Sequence, residues 1–236
     1  MADPPRLSVV LPAYLEEENL RLLLPRLFAA LALTGLSSEV VVVDTALPRD
    51  ATEAVAKEHG ARLVRRGPGD CFGDAVRTGI AEARGELVVF MDADGSHGPE
   101  MIPALVEASG GSEPADVVIA SRYVEGGYTE NSALLRAMSR ILNTSYSVVL
   151  GLDVKDVSNS FKLYRAPLLR ELALECDNFD VVEEILYKIR RRHPGARFRE
   201  IPCVFKQRMF GRTKRNLLLF VASYLVTILK LRFFLK

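Results

Sequence analysis

Residues 87–99 read Leu87-Val88-Val89-Phe90-Met91-Asp92-Ala93-Asp94-Gly95-Ser96-His97-Gly98-Pro99. Five apolar residues with no polar alternation predict a short strand buried on both faces, as in a parallel sheet. Two carboxylates follow at once. Pro99 then opens a helix at the first-turn position that proline favours.

Outward from this stretch, residues 7–11, 40–43, 61–64 and 117–120 are runs of the same apolar kind and predict four more buried strands. Helical patterns lie between them. Leu20, Leu23, Leu24, Leu27, Phe28 and Leu31 share one face, with Pro25 predicted to kink that helix. Asp50 or Thr52 can cap the next helix, and residues 74–84 make a third. The order βαβαβαβαβ predicts an α/β fold, an open and mostly parallel Rossmann-like sheet flanked by helices. Further on, 133–150 reads as a helix, 160–164 as a strand and 167–174 as a short helix. Residues 181–192 form an amphipathic helix and 197–205 an extended segment. No Gly/Ser-rich linker divides the chain, so one domain over 1–215 is expected, followed by an apolar and basic helix over 216–236.

The composition is that of a folded domain: 236 residues, 49% hydrophobic and 26% charged, which excludes a disordered or collagen-like chain. The formal net charge of +1 argues against a nucleic-acid partner. That sum conceals an asymmetry. Residues 190–236 hold 13 Lys/Arg and one acid, Glu200, a balance of +12, so residues 1–189 carry −11. Cys71, Cys176 and Cys203 lie far apart without a CxxC pair, which suits a reduced, cytoplasmic protein. His59, His97 and His193 lack zinc-ligand spacing. The opening MADPPR has no apolar signal region, so export is not expected. The longest uncharged apolar run, 217–229, falls short of the roughly 20 residues needed to span a bilayer.

In an open α/β sheet, ligands bind beyond the carboxyl ends of the strands. Pro12, Ala13, Tyr14 and Glu16 follow the first strand, Asp44 the second, and Asp92 and Asp94 the fourth. Crowded carboxylates call for a cation, and hard cations such as Mg²⁺ or Mn²⁺ take oxygen ligands. A lone Asp-x-Asp is often only a solvated turn, but this one ends a buried strand and leads into a helix. Glu16 also suits a helix N-terminus beside Glu17 and Glu18, and Asp44 suits a turn or cap. His97 is read as a local hydrogen-bonding residue outside the metal shell. Gly67, Gly69, Gly73 and Gly79, around Asp70, are a turn signal that could also cradle a ligand.

Several ordered blocks resemble those of family 2 glycosyltransferases of the GT-A fold, and most of all the dolichol- or polyprenyl-phosphate sugar synthases. They are SVVLPAYLEEENL, GDAVRTGIAEARGELVVFMDADGSHGPEMIP and DVVIASRYVEGG, then RAMSRILN, KDVSNSFKLYR, EEILYK, EIPCVF and QRMFGRTK. The resemblance spans Ser8 to about Asn216. Leu15 stands where the family usually has Asn, and Thr45-Ala46-Leu47 replaces its usual acidic and small residues. Ser160 and Lys162 flank Phe161 in place of Gly and Arg.

The resemblance implies an inverting, metal-dependent transfer from a GDP- or UDP-sugar to a lipid phosphate. Pro12, Ala13, Tyr14, Glu16, Asp44 and Asp92 would then meet the nucleotide, and Asp92 and Asp94 the metal. Arg122, Arg136 and Ser139 would hold the acceptor phosphate. Arg208 and Lys214 would form a loop closing over the diphosphate, with Asp94, Arg122 and Arg208 the groups nearest the chemistry. A phosphate acceptor is already anionic and requires no general base. A hydroxyl acceptor would require one, for which Asp156 and Glu184 are the candidates, unless they are structural. A non-catalytic nucleotide-sugar-binding homologue is the remaining alternative. The basic, apolar tail is expected to rest on an anionic membrane surface, at the cytoplasmic inner face, although docking on the domain itself is the other option.

Overall fold

A computed structural model describes residues 4–206 and 226–234. Seven strands form one sheet in the order β3-β2-β1-β4-β7-β5-β8. They are β1 (Leu7–Pro12), β2 (Ser38–Asp44), β3 (Arg62–Arg65), β4 (Leu87–Phe90), β5 (Val117–Ser121), β7 (Lys162–Arg165) and β8 (Phe198–Pro202). β6 (Tyr128–Thr129) and β9 (Val204–Phe205) make a small parallel pair beside it. All neighbours in the large sheet are parallel except β7, which runs antiparallel between β4 and β5.

The strands lack alternation because both faces are covered. Val9, Leu11, Val40, Val42, Val89 and Met91 face one layer, with α1 (Glu17–Ala32), α2 (Thr52–Glu58) and α4 (Ile102–Ser109). Val10, Val41, Val43, Val88 and Phe90 face the other, with α3 (Phe72–Glu82), α5 (Ala133–Leu150), α6 (Ala166–Arg170) and α7 (Val181–Arg192). Leu20, Leu23, Leu24 and Leu27 of α1 are fully buried, each contributing about 1.5–3 kcal/mol.

Local details differ from the sequence expectations. α1 runs as one helix through Pro25, which sits on the exposed side where water can take up the carbonyl that proline leaves unbonded. Asp50 does more than cap one helix: its Oδ1 accepts from Thr52 N at 3.0 Å and its Oδ2 from Glu17 N at 3.1 Å. Glu17 Oε2 returns a bond from Ala51 N at 3.2 Å, so the two helix N-termini cap each other. α3 begins at Phe72 because Cys71 Sγ accepts from Asp74 N at 3.3 Å while Asp74 Oδ2 accepts from Cys71 N at 3.1 Å, a reciprocal capping box. α6 is shorter than 167–174.

Gly73 and Gly79 serve packing: a Cβ on Gly73 would lie 2.1 Å from the Cys176 carbonyl oxygen, and one on Gly79 2.4 Å from Val10. Within 216–236, the described part is helical over 226–234. It is docked on the domain by buried Ile228 and Leu231 and by Thr227 Oγ1 donating to Asp180 Oδ2 at 3.1 Å.

Candidate active site

The carboxyl ends of β1, β2, β4 and β5 open on one rim, with the start of β7 between the last two. β1 and β4 are adjacent, and the chain order reverses there, which marks the place where open α/β sheets bind ligands.

On the β1 side, Ala13 N donates to Val43 O at 2.9 Å and prolongs the pairing by one residue. Tyr14 is half exposed, with the Arg49 guanidinium 5.8 Å from its ring centre. Leu15 takes a φ of 57°, the left-handed conformation in which Asn is better tolerated. Glu16 Oε2 accepts from Asn19 Nδ2 at 2.6 Å. Asp44, at the end of β2, is buried, and its Oδ2 accepts from Arg65 Nη1 at 2.6 Å. Arg65 also meets Glu53 and the Thr45 carbonyl. Its neighbour Arg66 is buried and donates to the carbonyl oxygens of Ala13, Asp70 and Cys71. Burial pulls the Arg66 guanidinium below the usual arginine range, with Asp70 and Asp44 opposing. Sequence reasoning missed both arginines, although their place at the end of the third strand marks them as rim residues.

Asp92 and Asp94 leave β4 as expected. Asp94 is 3% exposed, and its Oδ1 accepts from Ser96 N at 3.0 Å and Ser96 Oγ at 2.5 Å. Asp92 Oδ1 accepts from Ser160 Oγ at 2.8 Å, and Asp92 has no ion-pair partner among the described residues. The two carboxylates form an oxygen-only set that fits a hard divalent cation, which takes one or two protein carboxylates and completes its shell with phosphate and water. His97 is kept out of that set by its bonds to Asp92 N and Asn159.

The β5 side is built from ion pairing. Arg122, just past Ser121, grips buried Asp156 through its backbone N (2.8 Å), Nε (2.8 Å) and Nη2 (2.7 Å). Burial works against the Arg122 charge, but Asp156 outweighs it and holds the guanidinium above the usual arginine value. Glu200, the one acid of the basic end, steadies the same loop by accepting from Lys155 N at 2.8 Å and Asp156 N at 2.9 Å. Arg122 Nη2 also donates to Ser158 Oγ at 3.0 Å, and Asn143 Nδ2 donates to Ser158 Oγ at 3.1 Å and to Ser139 Oγ at 3.4 Å. The structure thus joins Arg122 to Ser139 through Ser158 and Asn143, which the sequence reading did not single out. Arg136 lies one turn before Ser139 on α5.

Lys162 is wholly buried beneath this loop and donates to the carbonyls of Val157 and Asn159. Burial lowers the Lys162 pKa and raises that of buried Glu183.

The two candidate bases are structural. Asp156 is saturated by Arg122. Glu184 accepts from Glu175 N and Cys176 N, each at 2.9 Å, and pairs with Lys188 at 2.9 Å. Arg208 and Lys214 lie outside the described residues. The segment leading to them is tied to the rim, since Lys206 N donates to Ser96 O at 3.0 Å.

Residues 8–173 match the family model described as glycosyl transferase family 2. The chain is 33% identical over 215 residues to a dolichol-phosphate mannosyltransferase of Pyrococcus furiosus, covering 89% of this chain but 59% of that protein. The identity is also 33%, over 222 residues, to an undecaprenyl-phosphate mannosyltransferase of Micrococcus luteus, covering 89% and 88% of the two chains. Among solved structures, a glucosyl-3-phosphoglycerate synthase of Mycobacterium tuberculosis, in complex with Mn²⁺, UDP and glucosyl-3-phosphoglycerate, superposes with a TM-score of 0.72 at 23% identity. That match covers 96% of this chain and 80% of the other, and it establishes the GT-A fold. With the family model covering β1 through β7 and acids standing at the ends of β2 and β4, the chain belongs to glycosyl transferase family 2.

Proposed function

We propose that the protein transfers a sugar from a GDP- or UDP-sugar to a polyprenyl phosphate, with inversion at the anomeric carbon, while resting on the anionic cytoplasmic face of a membrane. The observation that carries this reading is the pairing of chemistries on one rim: carboxylates at the end of β4, and an arginine–serine–asparagine chain running from the end of β5 to α5. Two relatives of the chain are named as mannosyltransferases of polyprenyl-type phosphates, and a solved neighbour was crystallised with Mn²⁺ and UDP.

In this reading Tyr14, Glu16 and Asp44 orient the nucleoside, with Arg65 fixing the Asp44 carboxylate. Asp92 and Asp94 would hold Mg²⁺ or Mn²⁺, which supplies charge neutralisation to the departing diphosphate. Arg208 and Lys214 add positive charge to the same group. Arg122, Ser139 and Arg136 orient the acceptor phosphate, whose anionic oxygen attacks the anomeric carbon opposite the diphosphate. No side chain has to remove a proton, which agrees with the commitment of Asp156 and Glu184 to structural bonds.

The membrane reading rests on α5 and the segment docked beside it. The inner face of α5 buries Leu142, Tyr146 and Leu150. Its opposite face exposes Leu134, Ile141 and Val148 at seven-residue spacing, one straight stripe along the helix. Val226, Leu229 and Phe233 form a second exposed stripe on the C-terminal segment. Arg136 and Arg140 stand on the same helix, both to one side of the first stripe. Apolar stripes edged with basic residues suit an anionic interface. No helix among the described residues is long and apolar enough to cross a membrane.

The test is a panel of GDP- and UDP-sugars with Mn²⁺ or Mg²⁺, offered beside a short polyprenyl phosphate and a set of hydroxyl acceptors, with the product anomer assigned by NMR. An inverted glycosyl phosphate is expected. Exclusive transfer to hydroxyls, a retained anomer, or no product from any donor would refute the assignment.

A further inference from the structure

His97 lies three residues past Asp94, is 1% exposed, and has both ring nitrogens engaged. Its Nδ1 accepts the backbone N–H of Asp92 at 3.1 Å. That nitrogen is therefore unprotonated in the neutral ring, and the proton sits on Nε2, which donates to Asn159 Oδ1 at 2.8 Å. Asn159 has its orientation set in turn, because its Nδ2 donates to Ala120 O at 2.6 Å. The ring packs between Phe161 and Phe205, with centroids 5.0 and 5.4 Å away. Residue 97 also forms an antiparallel bridge with Phe205, the last residue of β9. One imidazole thus touches the β4 acid loop, the loop before β7, the end of β5 through Asn159, and the strand leading into the basic segment.

We infer that His97 is a positioning residue that orients Asp92 for a cation-bound nucleoside diphosphate and couples this donor site to the acceptor loop. The inference rests on the function proposed above. The two nitrogens have separable roles: the bond at Nδ1 fixes the Asp92 backbone, and the bond at Nε2 fixes the loop carrying Ser160, whose hydroxyl reaches Asp92 Oδ1. His97 needs no contact with substrate for this. Groups standing behind metal-binding carboxylates typically change metal affinity by about 10- to 100-fold when removed.

The separation makes the test specific. Asparagine carries an acceptor where Nδ1 stands and is too short to reach Asn159. Glutamine reaches the Nε2 position and leaves Asp92 N unbonded. Binding of Mn²⁺ with GDP or with UDP is measured on the full chain by electron paramagnetic resonance and calorimetry, for wild type, His97→Asn, His97→Gln and Asp94→Asn. His97→Asn is expected to bind within about threefold of wild type and His97→Gln about tenfold or more weakly. His97→Asn is also expected to lose turnover more than donor affinity, because the link to the acceptor loop is cut. Equal binding by the Asn and Gln variants, weakened or not, overturns the inference while leaving the functional reading intact. A wild-type chain that binds neither nucleotide with Mn²⁺ overturns both. Should a variant fail to fold, ¹⁵N NMR of the wild-type imidazole decides: the Nε2–H tautomer is required, and an Nδ1–H ring overturns the assignment.

Discussion

The two sides of the rim handle charge in opposite ways. At the end of β4, Asp92 and Asp94 are held by serine hydroxyls and a backbone N–H, and Asp92 meets no cation among the described residues. At the end of β5, Arg122 is closed onto Asp156 by three hydrogen bonds with almost no exposure of either side chain. A neutral donor orients the Asp92 carboxylate without cancelling its charge, so Asp92 keeps an attraction for cations. A buried ion pair cancels its own charge and secures geometry. Asp44 belongs to the second kind although it stands on the first side, because Arg65 neutralises it.

The largest effect that would break this contrast is functional. Asp94→Asn keeps an acceptor for Ser96 and removes only the charge. Transfer is expected to fall by about 10²–10³-fold or more, with the thermal melting midpoint nearly unchanged. A variant with normal turnover would show that the β4 acids are merely a turn.

The opposite profile is expected across the rim. Asp156→Ala strands the buried Arg122 guanidinium and should cost about 3–5 kcal/mol in urea denaturation. A loss below about 1 kcal/mol would mean that the pair is not the keystone of its loop.

A smaller effect concerns the charge at the start of α3. The Cys71 thiol, and then Arg77, hold Asp74 down at about 2, below its ordinary 3.8. A depressed carboxylate stabilises the fold above its unfolded value, and that stabilisation is lost as pH falls through the folded one. Asp74→Asn should therefore cost about 2 kcal/mol at neutral pH, and the gap from wild type should narrow between about pH 4 and 2. A gap independent of pH would assign the loss to the capping bond rather than to the charge.

The smallest effect sharpens the picture of the loop after β1. Leu15→Asn relieves a left-handed backbone at a branched side chain and should stabilise the fold by about 1 kcal/mol, read as a raised denaturation midpoint. No gain would place the strain elsewhere.

Much of the β4 side of the rim was legible in the sequence. A valine-rich strand ending in Asp92 and Asp94 carries its meaning within a dozen residues, because burial on both faces forbids alternation and the carboxyl end of such a strand is where ligands sit. The β5 side was legible only in part. Arg122 and Ser139 were found as separate residues, but the Ser158 and Asn143 that join them offer no local pattern. The docking of 226–234 was hidden for the opposite reason: an apolar, basic helix reads alike whether one face meets its own domain or both meet lipid.

By itself, the sequence determined the α/β class, the place of the acids, and the split between an acidic body and a basic end. These are properties of short segments and their order: periodicity, strand length, and charge counted along the chain. Tertiary structure alone decided that β7 runs antiparallel between β4 and β5, that Arg122 closes on Asp156, that Arg65 takes Asp44, and that His97 reaches Asn159. The three side-chain contacts join residues 21 to 62 positions apart. At such separations a hydrogen bond is specified by the geometry of the folded sheet rather than by the local chain. The same carboxylate can therefore be a cation ligand or half of an ion pair, depending on which side chain the fold brings within 3 Å.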